Sequence, residues 1–137
     1  MLVLAATMGV PAFAALKTRD TAPDFSAKAS LAGKEFQFSL KAALQKGPVV
    51  VYFYPSAFTA GCNIEAHTFS ENKEKFDAAG ASIVGVSRDS ITRLNAFSAD
   101  PQYCAGKIAV ASDPEGTIAT SYGLTKMAVR AGMKDSR

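Results

Sequence analysis

Residues 49–54 of this 137-residue chain read Val-Val-Val-Tyr-Phe-Tyr, with no polar residue among them. A run that short, continuous and β-branched is the pattern of a central strand covered on both faces. Pro55 stops it, Ser56-Ala57-Phe58-Thr59-Ala60-Gly61 supplies a turn, and Cys62 opens a segment whose apolar residues recur at helical spacing. The local order is therefore strand, turn, helix, with a thiol at the helix start. The first backbone N–H groups of a helix have no partner within it, and the positive end of its dipole lies there. A thiolate is favoured over a thiol in such a place, and the sulfur becomes nucleophilic near neutral pH. The plainer reading of Cys62 is a buried small hydrophobe.

The rest of the chain supplies the frame for this unit. Residues 24–29 and 35–39 flank Leu31-Ala32-Gly33-Lys34 and predict a β-hairpin turned near Gly33. Ser39 is placed to cap a short helix through Leu40, Ala43 and Leu44, stopped by Gly47-Pro48. Beyond Cys62, Ile64, Phe69 and Phe76, with Ala66, Ala78 and Ala79 between them, predict one long amphipathic helix ending at Gly80. Residues 82–87 form a second buried-strand pattern. Asp89 or Ser90 can cap a helix carrying Ile91, Leu94 and Phe97, which Asp100-Pro101 should break. A third strand at residues 108–111 leads to the turn Asp113-Pro114-Glu115-Gly116 and a last short helix from Thr117 to Tyr122, stopped by Gly123. Parallel neighbours need crossover helices, so this order predicts one α/β domain over residues 15–124, with an N-terminal hairpin and helices on the faces of the sheet.

The two ends differ in kind. Residues 2–16 carry no charge, and Ala12-Phe13-Ala14 fits a small-x-small cleavage pattern, which predicts a signal peptide over residues 1–14, a mature start at Ala15, and export to a periplasm or beyond rather than residence in the cytoplasm. No positive residue precedes the stretch, as a signal peptide should have, and a buried N-terminal strand or helix is the alternative. The segment is too short to span a bilayer and Pro11 interrupts it, so no membrane association is expected after its removal. Residues 125–137 form a basic tail without strand period. The formal charge of +3 is dispersed and the chain has no Trp, which argues against nucleic acid as a partner. Two cysteines and the lone His67 lack the paired spacing of a zinc site, and no metal or cofactor is expected. His67, five residues past Cys62, points off the sulfur's line and reads as a surface or partly buried histidine.

Pro55-x-x-x-Thr59-x-x-Cys62 on a strand-to-helix turn resembles the active-site motif of the peroxiredoxins. The order of landmarks is similar to the branch called bacterioferritin comigratory protein or peroxiredoxin Q. Glu65-Ala66 follows the cysteine, then come Gly85-Val86-Ser87 with Asp89-Ser90, Ser112-Asp113-Pro114-Glu115-Gly116, and Tyr122-Gly123-Leu124. The resemblance covers about residues 20–124 and departs at Ala60, where that branch often has Pro. It implies a thioredoxin-like fold with a central mixed sheet. It also implies thiol-dependent reduction of hydrogen peroxide or organic hydroperoxides by a monomer or dimer, with a thioredoxin-like or small-thiol reductant as partner. Cys62 would be the peroxidatic cysteine, Thr59 the hydroxyl that binds peroxide and sulfur, and Pro55 the shelter of the pocket. Sulfenic acid formed on Cys62 condenses readily with a second thiol. The position five residues on, where many relatives carry the resolving cysteine, is His67, so Cys104 is the candidate for a Cys62–Cys104 disulfide, with a free or structural thiol as its alternative.

By the same resemblance an arginine should stand on a strand well after Tyr122-Gly123. Arg130 and Arg137 precede that position, and Arg88 and Arg93 do not match by order, so the chain reads as truncated on its C-terminal side, with a weakened site and an exposed sheet edge. Two other functions stand beside the peroxidase. A thioredoxin-like disulfide oxidoreductase is opposed by Thr59 in place of the second thiol of Cys-x-x-Cys. A non-catalytic truncated thioredoxin-like fragment would bind a partner along its apolar edge.

Overall fold

Ala32 and Gly33 both adopt left-handed backbone angles, φ 52° and 78°, as a two-residue hairpin turn requires. They reverse β1 (Ser26–Leu31) into β2 (Lys34–Ser39), paired antiparallel. The structure is a computed structural model and describes residues 15–124; the expected signal peptide and the basic tail lie outside the described residues. After the hairpin come α1 (Leu40–Leu44), β3 (Val49–Phe53), α2 (Ala60–Glu71), α3 (Lys73–Ala78), β4 (Ser82–Ser87), α4 (Ile91–Ala99), β5 (Ala109–Ser112) and α5 (Thr117–Ser121). Ser39 caps α1 by accepting from Ala42 N at 3.2 Å, and Ser90, rather than Asp89, caps α4 by accepting from Arg93 N at 3.2 Å.

The five strands form one mixed sheet in the order β2-β1-β5-β4-β3, with β3–β4 and β4–β5 parallel and β1–β5 antiparallel. Period-2 alternation splits its apolar residues between two layers. One holds Tyr52, Tyr54, Ile83, Leu94, Phe97, Ile108 and Val110; the other holds Phe25, Phe38, Val84, Val86 and Tyr122. Phe97 and Leu94 are fully buried, and each contributes on the order of 2 kcal/mol through burial.

Two expectations need correction. The apolar run of β3 does not mark a central strand: among the described residues β3 pairs only with β4 and forms an edge of the sheet. Val50 and Tyr52 pack into one layer and Val49, Val51 and Phe53 into the other. The run thus reports two covered faces, which is independent of whether a lateral edge is paired. The long helix is in fact two, separated at Asn72 (φ −98°, ψ 7°), whose amide donates to Thr68 O at 2.8 Å. Its inward face is Cys62, Ala66, Phe69 and Ser70, whereas Ile64 is 68% exposed. Steps of four, three and one from the cysteine define the buried stripe, and Ile64 lies outside it.

Candidate active site

Thr59 stands at the N-cap of α2 in extended conformation (φ −105°, ψ 151°), and the first backbone bond of the helix is Asn63 N to Thr59 O at 2.8 Å. Its side chain does not cap. Instead Thr59 Oγ1 donates to Ser56 O at 2.8 Å, which leaves the N–H groups of Ala60, Gly61 and Cys62 without protein partners among the described residues. The Thr59 hydroxyl, its proton already committed, presents only lone pairs outward. Cys62 follows on the first turn and is 7% exposed. The sulfur therefore sits at the boundary of core and solvent, beside a helix end that favours anions.

Tyr54 and Ala57 share the buried cluster of Cys62, while Pro55, Phe58 and Thr59 of the same turn are exposed. Phe58 adopts φ 61°, a left-handed conformation that is uncommon for a bulky residue. Its ring lies edge-on to Phe97 and Tyr103, with centroids 5.2 Å and 5.7 Å away.

Cys104 belongs to the same buried cluster as Cys62, and both thiols are free. It is completely buried and lies in the turns after α4, which continue through Ala105 (φ 54°) and Gly106 (φ 69°). Burial, together with the Asp100 carboxylate, pushes its thiol up to about 12. Cys104 is thus a protonated, sequestered thiol in this conformation.

Tyr52 and Tyr54 stack 5.6 Å apart in this cluster. Their hydroxyls are buried without hydrogen-bond partners among the described residues; the Ser87 hydroxyl beside Tyr54 is committed to Asp89 Oδ2 at 2.7 Å. Burial raises both phenols above the ordinary tyrosine range, so they remain O–H groups. Their rings lie across Gly85, where a Cβ would fall 2.7 Å from Tyr52 Cζ. That close approach explains glycine in the Gly85-Val86-Ser87 landmark. Asp113, also a landmark residue, caps α5 by accepting from Ile118 N at 3.2 Å and Ala119 N at 3.0 Å.

Two residues outside the sequence candidates reach the turn. Asp89 Oδ2 accepts from Ala57 N at 2.7 Å, Arg93 Nη2 donates to Ala57 O at 2.7 Å, and Arg93 Nε pairs with Asp89 Oδ1 at 3.2 Å. Asp89 reads in sequence as a cap candidate and a landmark of the resemblance, with no link to the turn, and Arg93 is set aside there by its order. No local pattern could show contacts that span more than thirty residues. The other expectations divide. His67 is on the surface, its Nε2 3.0 Å from Glu71 Oε1. Arg88 reaches Pro114 O at 3.4 Å, and Arg130 and Arg137 lie outside the described residues. No helix among the described residues is long and apolar enough to cross a membrane.

Comparison with known proteins gives a consistent answer. The profile of the AhpC/TSA family matches residues 18–134. A peroxiredoxin of Mycobacterium tuberculosis is 32% identical over 111 residues, covering 81% of this chain and 68% of its own length. Among solved structures, the peroxidoxin BcpB of Mycobacterium tuberculosis superposes with a TM-score of 0.67 at 33% identity, over 76% of this chain and 64% of that one. The bacterioferritin comigratory protein of Xanthomonas campestris, studied for alkyl peroxide reduction, superposes with a TM-score of 0.61 at 34% identity, over 72% of this chain and 60% of that one.

Proposed function

This chain belongs to the AhpC/TSA family, in its bacterioferritin comigratory protein and peroxiredoxin Q branch, and is a thiol peroxidase; we propose that its reaction runs through Cys62. The observation that carries the reading is the position of Cys62 on the first turn of α2, under a row of open N–H groups and beside Thr59. The Cys62 thiolate attacks one oxygen of the hydroperoxide. As the S–O bond forms, the O–O bond breaks, the attacked oxygen keeps its hydrogen to give sulfenic acid, and the other oxygen leaves as water or an alcohol after taking up from solvent the proton that the thiol released on ionising. Donors fixed before the reaction stabilise the charge that develops on the departing oxygen. The N–H groups at the start of α2 are suited to this part, and Thr59 Oγ1 accepts a hydrogen bond from the hydroperoxide O–H. Organic hydroperoxides belong to the substrate range, a reading supported by the activity of the Xanthomonas neighbour.

The cycle closes when the Cys104 sulfur attacks the sulfenic sulfur, expelling water and forming the Cys62–Cys104 disulfide. A dithiol donor of the thioredoxin kind then restores both thiols by exchange and is itself oxidised. Membership of one buried cluster supports this pairing. Cys104 is completely buried in the turns after α4, and the proposed cycle includes a rearrangement of those turns to meet disulfide geometry, with Cα atoms within roughly 7 Å. Export to a periplasm is part of the same proposal and is supported by the uncharged residues 2–16 and the Ala12-Phe13-Ala14 pattern. The test is peroxide consumption with thioredoxin as donor. The native chain turns over, Cys62→Ser does not, and Cys104→Ser accumulates sulfenic acid and requires a small thiol. Unchanged turnover of Cys104→Ser with thioredoxin as the only donor excludes the intramolecular disulfide.

A further inference from the structure

Resting on the assignment of Cys62 as the peroxide-attacking sulfur, we propose that Asp89 and Arg93 are positioning residues for that reaction. They clamp residue 57 by both of its backbone groups and thereby fix the left-handed Phe58 and the start of α2. Four facts define the clamp. Asp89 has a side chain 8% exposed, and its Oδ2 accepts from Ala57 N and from Ser87 Oγ, each at 2.7 Å. Its Oδ1 receives Arg93 Nε at 3.2 Å and, more loosely, Ser56 Oγ at 3.4 Å. Arg93 spends its other arm on Ala57 O at 2.7 Å and lays its guanidinium over the Phe58 ring, 5.2 Å from the centroid. The base of the clamp is tied to the sheet, because Ser112 Oγ donates to Asp89 O at 2.6 Å and Asp89 N donates to Ser87 Oγ at 3.3 Å.

The direction of control follows from what is fixed and what is held. Ser87 and Ser112 end two paired strands, so the anchor is rigid. Ala57 and Phe58 belong to the turn, and Phe58 is in a conformation that a free loop would leave. Thr59, the next residue, begins the helix whose open N–H groups are the proposed donors to the peroxide. Release of Ala57 lets Phe58 relax, shifts the helix start and spoils the alignment of donors without removing any of them.

Positioning of this kind is selective for reactions that need aligned donors. Reduction of a peroxide needs them, whereas alkylation by iodoacetamide needs mainly a reachable sulfur. The experiment measures both second-order rates at Cys62 in the full chain, in a Cys104→Ser background, for Asp89→Asn, Arg93→Met and Arg93→Lys. Arg88→Ala serves as control, and thermal melts establish folding. Displacements near 1 Å can cost up to ~100-fold in rate, so a fall of at least about tenfold is expected with peroxide in Asp89→Asn and Arg93→Met, with little change toward iodoacetamide. Arg93→Met keeps a long stem over Phe58, which protects the fold. Arg93→Lys keeps the charge without the planar fork and should recover only a minor part of the peroxide rate. Full recovery by lysine, native peroxide rates in folded Asp89→Asn and Arg93→Met, or parallel loss of both reactions would overturn the proposal. If Cys62→Ser still consumes peroxide at the native rate, the underlying assignment fails instead, and the two failures are distinct.

Discussion

The Thr59 hydroxyl gives its proton to Ser56 O at 2.8 Å, so toward an incoming hydroperoxide it can only accept. Thr59→Val keeps the shape and removes that acceptor; the expected loss in the rate of Cys62 oxidation is on the order of 10²-fold, the size associated with one oriented polar group. Thr59→Ser should retain most of the rate, and an unaltered rate in Thr59→Val would remove the hydroxyl from the reaction. Residue by residue, the sequence makes Cys62 and Thr59 candidates because both belong to one contiguous strand-turn-helix unit, where spacing alone carries information. It also makes Cys104 a candidate, since no other second thiol exists. Asp89 and Arg93 are hidden for the opposite reason: their partners are backbone groups of a distant turn, and a main-chain N–H or carbonyl leaves no signature in residue types.

At the level of elements, the hairpin, the caps at Ser39 and Ser90 and the stops at Gly80 and Gly123 are legible because each depends on local chemistry. The position of β3 in the sheet and the break at Asn72 are not, since one depends on strand order and the other on a local side-chain bond to Thr68 O that periodicity does not register. A further link invisible in sequence joins the hairpin to α4. The buried Ser98 Oγ lies 2.9 Å from Ser30 Oγ and accepts from Gly33 N at 2.9 Å. Ser98→Ala leaves the buried Ser30 hydroxyl and the partly buried Gly33 N–H unpaired and is expected to cost about 1–3 kcal/mol in chemical denaturation. Loss of less than a few tenths would mean that the link carries no stability. The Cys104 segment makes a pH prediction. Its thiol, ordinarily near 9, is pushed up to about 12 by burial and Asp100, so the folded chain holds a proton that the opened segment releases. The stabilisation is complete below pH 9 and is lost as pH rises from 9 toward 12. Stability should therefore fall more steeply across that window in the native chain than in Cys104→Ala, a difference that cancels the parallel effect of the buried tyrosines. Equal slopes would contradict the burial of this thiol.

For the whole molecule, the sheet does two things at once. Its parallel strands end at Phe53, Ser87 and Ser112, on the side where the cysteine helix begins and the Asp89–Arg93 clamp stands. Its antiparallel hairpin lies at the far edge and contributes core rather than chemistry. Both cysteines belong to one buried cluster with Tyr52, Tyr54 and Phe97, and in the proposed cycle oxidation at Cys62 and release of Cys104 are coupled through it. Resolution by Cys104 should accordingly be slower than oxidation by peroxide, and a stabilised cluster should lengthen the life of the sulfenic acid. The most direct test of the central claim is peptide mass mapping of the Cys104→Ser chain after one equivalent of hydrogen peroxide and a sulfenic-acid trapping reagent. The account predicts one adduct, on the peptide that contains Cys62, and none in the added absence of peroxide. An unlabelled Cys62 peptide from a chain that has consumed the peroxide would contradict it.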